Sequence, residues 1–312
     1  MRIFFATDVH GSDRCFAKFV NAGAFYRADA VILGGDITGK AVVPFVEENG
    51  GVRVRFLGEE RVVHGDEIGD LEKRVADTGY YAHRCSPDEV ARLNAEPDLI
   101  TPIFLELMLA RARKWMDLAT ERLAPHGIPC FVNAGNDDPR PVDDIVRASD
   151  YVQFCEGEVL RLPDGTELAS CGYANQTPWD CPRDVSEEDL EERLDAVVAK
   201  LDDPRHAVLN FHCPPYDTVI DTGPVLGEDM RLKSGAAGVL TQAVGSTACR
   251  RVIERVQPLL GLHGHIHESR GTFQLGKTLC INPGSEYTEG ILRGALLELR
   301  GGKLVSHQLA AG

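Results

Sequence analysis

Six short apolar runs, at residues 3 to 7, 30 to 33, 128 to 134, 207 to 211, 259 to 262 and 278 to 281, each stop abruptly at Gly, Asp, His or Asn. Runs of that length, bounded by turn-forming residues, read as buried strands rather than helices. Helix start signals lie between them. Ser186 followed by Asp189 is a capping pattern that opens a helix over 186 to 201, and Thr101-Pro102 sets a cap residue before a first-turn proline for a helix running towards Pro125. Ser12 caps a third helix that carries Phe16, Phe19 and Val20 on one face. Strands alternating with helices predict an α/β sheet, whose ligands bind at the carboxyl ends of the strands. Two hairpins make the sheet system mixed: 159 to 162 with 166 to 170 around Asp164-Gly165, and 295 to 299 with 303 to 307 around Gly301-Gly302.

Residues 45 to 125 interrupt this pattern. They begin with alternating Val52, Val54 and Phe56, turn near Gly58, and continue through three helical stretches with charged outer faces. We read residues 1 to 312 as one domain with 45 to 125 inserted in it as a lid or an oligomer contact.

Five polar clusters end the predicted strands: Asp8-Val-His10, Gly35-Asp36, Gly135-Asn136-Asp137-Asp138, His212-Cys-Pro-Pro215 and Gly264-His265-Ile266-His267. A lone strand-end His or Asp is more often a hydrogen-bonded structural residue. In Asp-x-His or His-x-His, however, side chains two apart point the same way and can share one metal. Five such clusters, each behind its own apolar run, rarely arise from packing alone. The donors are imidazole, carboxylate and amide without thiolate, which suits Mn²⁺, Fe, Zn²⁺ or Ni²⁺.

The order D-x-H, G-D, G-N-x-D, H, G-H-x-H, followed by Asn282-Pro-Gly-Ser285, strongly resembles the calcineurin-like metallophosphoesterases, and among them the prokaryotic Icc-like phosphoesterases. The resemblance runs from Asp8 into the 282 to 285 loop and implies an αββα fold, two mixed sheets sandwiched by helices. It implies that Asp8, His10 and His267 hold one metal, that Asn136, His212 and His265 hold a second, and that Asp36 bridges them. Mn²⁺ is the first choice for both ions, from family habit. The implied reaction is hydrolysis of a phosphate ester by a hydroxide shared between two ions ~3.5 to 4 Å apart. Asp36, Asn136 and Asp137 are the candidate catalytic residues.

Asp137 departs from the family pattern, which has a histidine there. An ionised carboxylate cannot donate a proton to a leaving group and repels a second negative charge on the substrate. This predicts a modest preference for diesters over monoesters. The competing reading has Asp137 only capping the turn before Pro139. His263 is either a support for the ligands or a core histidine, and Cys213 a small buried filler. Asn175, Trp179, Tyr216 and Arg270 lie in loops after strands, where they either shape a substrate pocket or anchor the loops.

Composition narrows the partners. A net charge of −15 repels polyanions, which argues against a nucleic-acid partner and for a small phosphorylated substrate. Nine scattered cysteines without a Cys-x-x-Cys pair predict reduced thiols, and neither a signal-like start nor an apolar run of ~18 residues is present. A cytoplasmic protein, able to form homo-oligomers, is expected. The alternatives are a non-catalytic metal-binding scaffold of the same fold and a cyclic-nucleotide phosphodiesterase. A serine or cysteine hydrolase has no Gly-x-Ser-x-Gly elbow to rest on.

Overall fold

Alternation along the strands decides the layers. In Arg2–Ala6, Ile3 and Phe5 enter one apolar cluster while Phe4 and Ala6 enter another, and Ala30–Leu33 divides in the same way. Successive side chains of a strand leave on opposite faces, so a strand apolar at every position is covered on both sides. The computed structural model describes residues 1–227, 229–235 and 238–312, and two six-stranded sheets supply the frame.

The first sheet runs Lys303–Ala311, Arg293–Arg300, Arg2–Ala6, Ala30–Leu33, Cys130–Val132, Val152–Phe154. Its last four strands are parallel, and the C-terminal hairpin adds two antiparallel ones. The second sheet runs Gly271–Leu275, Thr278–Asn282, Leu260–Leu262, Val208–Phe211, Glu167–Cys171, Val159–Arg161. Its four central strands are parallel and each edge is antiparallel. Ile3, Phe5, Ile32, Phe131, Leu168, Val208, Leu262 and Ile281 fill the space between the sheets. Helices Asp13–Phe25 and Ile100–Leu123 cover the outer face of the first sheet, and Glu187–Val198 and Thr247–Val256 that of the second. The result is the expected αββα sandwich, with both predicted hairpins in place.

Local signals act where the sequence put them. The Ser12 hydroxyl accepts from the Cys15 N–H at 3.2 Å, and the Ser186 hydroxyl from that of Asp189 at 3.1 Å. Thr101 is a different case. The helix starts at Ile100, fed directly by the 3₁₀ turn Pro97–Leu99, so the preceding turn takes over the start and no side-chain cap is used.

The 45 to 125 segment divides in two. Strands Val42–Glu48, Gly51–Phe56, Glu59–Val63 and Tyr81–Cys85 form a four-stranded sheet backed by helix Asp66–Asp77. This unit has its own small core of Val43, Phe45, Val52, Val54, Phe56, Leu71 and Val75. The turn after its second strand is the Leu57-Gly58 pair, both at positive φ, as a tight hairpin requires. Helix Ile100–Leu123 belongs instead to the sandwich. It buries Ala112, Trp115, Met116, Ala119 and Leu123 against the first sheet and carries the chain from Ala30–Leu33 to the parallel Cys130–Val132. The inserted unit therefore ends well before residue 125.

All nine cysteines are free, and eight are buried. Among the described residues, no helix is long and apolar enough to cross a membrane.

Trp115 stacks on Phe16 with ring centroids 4.2 Å apart and donates its indole N–H to Asp13 Oδ1 at 2.6 Å. Trp115→Ala is expected to lower unfolding free energy by about 3–5 kcal/mol. Urea denaturation followed by circular dichroism measures this, and a loss below about 1 kcal/mol would show that the helix is not framework.

Candidate metal centre

The chain does not turn away from the sheets where the parallel strands end. Asp8, His10 and Gly11 donate their N–H groups to Gly35, Asp36 and Ile37 carbonyls at 2.9 to 3.0 Å, and Gly264 donates to the His212 carbonyl at 2.9 Å. These loops hold their residues in costly backbone geometry. Asp8, His10, Asp36 and His265 all have positive φ, between 38° and 68°, a region that non-glycine residues enter only when their surroundings compel it.

Glycines make the loop approach possible. A Cβ on Gly135 would lie 2.1 Å from Asp36 Oδ1, and one on Gly264 would lie 2.3 Å from Asp8 Oδ2. The glycine in each motif is thus the floor on which a carboxylate from another loop rests.

The candidate ligands fall into two groups. Asp8, His10, Asp36 and His267 form one; Asp36, His212 and His265 form the other. A single oxygen, Asp36 Oδ2, lies 3.5 Å from His10 Nε2 and 3.4 Å from His212 Nε2. His10 Nε2 meets His267 Nε2 at 2.9 Å, and His265 Nδ1 meets Asn136 Oδ1 at 2.9 Å. Asp8 Oδ1 is 3.5 Å from His267 Nε2. Donors about 2.1 Å from one shared cation stand about 3.0 to 3.4 Å apart, so these separations fit ligands of common ions. All seven sequence-predicted metal positions are brought together, and Asp36 belongs to both groups.

The two innermost imidazoles have their orientation fixed from behind. His10 Nδ1 lies 3.2 Å from the Thr38 carbonyl and His212 Nδ1 lies 3.3 Å from that of Gly34. Donation from Nδ1 leaves Nε2 as the lone-pair nitrogen facing inward. His212 Nε2 is buried with no hydrogen-bond partner, an uncommon cost unless a cation is to be bound there. Charge agrees with geometry. Burial opposes ionisation of Asp8, yet its hydrogen bond to His267 and the charge of His212 hold its carboxyl down at about 2. Burial likewise disfavours a charged His212, but Asp36 beside it pushes the imidazole up to about 10, so a proton competes with a cation for Nε2. Two buried carboxylates draw a positive charge into the site, and divalent ions would supply it.

Three supports stand behind the ligands; Asp138 and the 282 to 285 loop lie within sequence motifs, whereas Asp184 had no signature in the sequence. Asp184 Oδ1 accepts from Asn136 Nδ2 at 2.8 Å, which aims Asn136 Oδ1 at His265. Asp138 is fully buried and accepts from the backbone of Gly135, Ile37 and Thr38 and from the Thr38 hydroxyl, tying the Asp36 loop to the Asn136 loop. Burial raises its carboxyl to about 6. Ser285 donates to the Asp8 carbonyl at 2.6 Å, while Asn282 donates to the carbonyls of Gly264 and Ile266. The 282 to 285 loop therefore clamps two ligand loops.

The remaining candidates separate cleanly. Asp138, rather than Asp137, accepts from the turn; the Asp137 carboxylate points out to Lys40 at 3.3 Å and to His10 Nδ1 at 3.7 Å. His263 is a core histidine. Its Nδ1 lies 2.8 Å from the Phe211 carbonyl and 3.1 Å from that of Cys213, and burial lowers it to about 4, so it braces the peptides flanking His212. Cys213 packs in the outer cluster of the second sheet. Asn175 donates to the Val244 carbonyl, the Tyr216 carbonyl accepts from Arg250, and Arg270 and Trp179 are exposed. None of these four contacts a candidate ligand through a hydrogen bond.

No family model matches the chain. The uncharacterized protein MJ1162 of Methanocaldococcus jannaschii is 32% identical over 122 residues, which are 38% of this chain and 49% of that protein. The match thus spans about half the length of that relative. Two solved structures align over the whole chain: TT1561 of Thermus thermophilus, with a TM-score of 0.53 and 15% identity over 97% of its length, and a second with a TM-score of 0.54 and 17% identity over 98%. At these identities the likeness is one of fold. The fold itself is the αββα sandwich that the sequence resemblance to the calcineurin-like metallophosphoesterases implies. In this fold the buried His/Asp cluster, able to hold metal, lies at the carboxyl ends of parallel strands from both sheets.

Asp184→Ala is expected to weaken metal binding about 10- to 100-fold by freeing the Asn136 amide to turn. Competition with a chelating dye reports the affinity, and an unchanged value would remove Asp184 from the site's support.

Proposed function

We propose that the protein is a two-metal hydrolase of phosphate esters, with diesters preferred over monoesters. The observation that carries this reading is the position of Asp36 Oδ2 between the two ligand groups, within 3.5 Å of a histidine nitrogen from each. Asp8, His10 and His267 would complete one site with Asp36, and Asn136, His212 and His265 the other. Two bound divalent ions supply Lewis acidity and activation of water near neutral pH. Mn²⁺ is the proposed native metal, ahead of Fe, Zn²⁺ and Ni²⁺, which suit the same nitrogen and oxygen donors.

The chain's own part is positional. Asp36 Oδ1 accepts from the Asp137 N–H at 3.0 Å, which keeps Oδ2 turned to the ligand groups. The carbonyls of Thr38 and Gly34 fix the His10 and His212 rings. Asp137 brings a carboxylate to the rim and Lys40 a compensating ammonium, so this wall adds no net positive charge to attract the second negative charge of a monoester. The same reading includes a small phosphorylated substrate, a cytoplasmic setting in which the nine thiols stay reduced, and the 42–85 unit as a lid or a contact between copies.

Two experiments test the proposal. Protein reconstituted with Mn²⁺ is assayed on bis-p-nitrophenyl phosphate, p-nitrophenyl phosphate and a cyclic nucleotide, with metal content read by mass spectrometry. Asp36→Asn is expected to lose more than about 100-fold in activity, since even groups behind the ligands are worth about 10- to 100-fold. A wild type that holds two ions yet turns over none of these esters would favour a scaffold. Asp137→Asn is expected to raise monoester turnover relative to diester turnover. A wild type that prefers monoesters, with an Asn variant at the same ratio, would sink the charge argument.

A further inference from the structure

One wall of the site carries a cation that no motif includes. Lys40 follows the Asp36 loop. Its side chain is half exposed and its ammonium lies 3.3 Å from Asp137 Oδ2. The same Oδ2 is 3.7 Å from His10 Nδ1, and the opposite nitrogen of that ring faces Asp36 and His267. Tyr287 closes the wall, with its ring centroid 4.8 Å from that of His10.

Three features distinguish this pair from an incidental surface ion pair. Asp137 is itself held, because its N–H donates to Asp36 Oδ1 at 3.0 Å. Its carboxylate is three-quarters covered, so the ammonium is drawn to a fixed acceptor rather than to solvent. The oxygen that Lys40 meets is also the one 3.7 Å from His10 Nδ1, which places the ammonium beside the ligand cluster. An ammonium has three donors, and the ion pair with Asp137 engages at most one of them, which leaves two for another acceptor.

We propose that Lys40 is a substrate-binding residue of the site, donating to a phosphoryl oxygen, and that Asp137 is the positioning residue that holds it there. The inference rests on the phosphoesterase reading above and adds to it the group that grips the substrate on the wall formed by Asp137. The roles are divided. Asp137 holds the ammonium in place, and Lys40 supplies the charge-assisted hydrogen bond.

The test uses binding rather than turnover. Wild type, Lys40→Met and Lys40→Arg are loaded with Mn²⁺, metal content is measured, and inorganic phosphate is titrated calorimetrically at fixed ionic strength. With two ions per chain in each, Lys40→Met is expected to bind phosphate at least about tenfold more weakly, the worth of one charge-assisted hydrogen bond. Lys40→Arg, which keeps the charge, is expected to stay within about threefold of wild type. If Lys40→Met stays within about twofold of wild type, or if Lys40→Arg loses as much as Lys40→Met, the inference is overturned while the metal site stands. A wild type that takes up no divalent ion overturns the hydrolase reading and this inference with it.

Discussion

Two carboxylates, those of Asp8 and Asp36, are buried side by side at the mouth of the sandwich, and most of the surrounding structure answers to their charge. Burying an ionised group without compensation is far more costly than a folded protein can tolerate. Here the compensation is distributed. Backbone N–H groups of His265 and Asp137 reach the carboxylate oxygens, histidine nitrogens stand 3.4 to 4.0 Å away, and the arrangement has its shortfall of positive charge at the centre. Positive φ at four ligand positions and the glycines beneath the carboxylates are the local costs of bringing the loops that close.

The frame was legible because its chemistry repeats. Parallel strands covered on both faces must be apolar at every position, and they must stop where the chain turns polar, so their ends could be read directly from the runs. Ala30–Leu33 has the expected limits, and the other five runs are shifted, trimmed or extended by a residue or two at their ends. The ligand positions were legible for a related reason. Spacing by two residues at a strand end has few purposes other than convergence, and the order of the clusters resembled a known family.

What escaped the sequence consists of single residues whose meaning comes from a partner far along the chain. Asp137 and Asp138 are chemically identical neighbours; only folding sends one to the rim and the other into the backbone of two ligand loops. Asp184 and Lys40 stand in no pattern, and each acquires its role from a residue 48 or 97 positions away. Helix Ile100–Leu123, expected within the insertion, belongs to the sandwich for a similar reason. Its buried stripe shows that it packs, but nothing in the stripe says which sheet it packs on.

The ligands do not come from one half of the sandwich. Asp8, His10, Asp36 and Asn136 follow strands of the first sheet, whereas His212, His265 and His267 follow strands of the second. Neither half owns a complete set, so the cations would act as rivets through both layers. Capture must then come late in folding, after the layers have closed, and each bound ion would add its binding free energy to the resistance of the layers to being pulled apart.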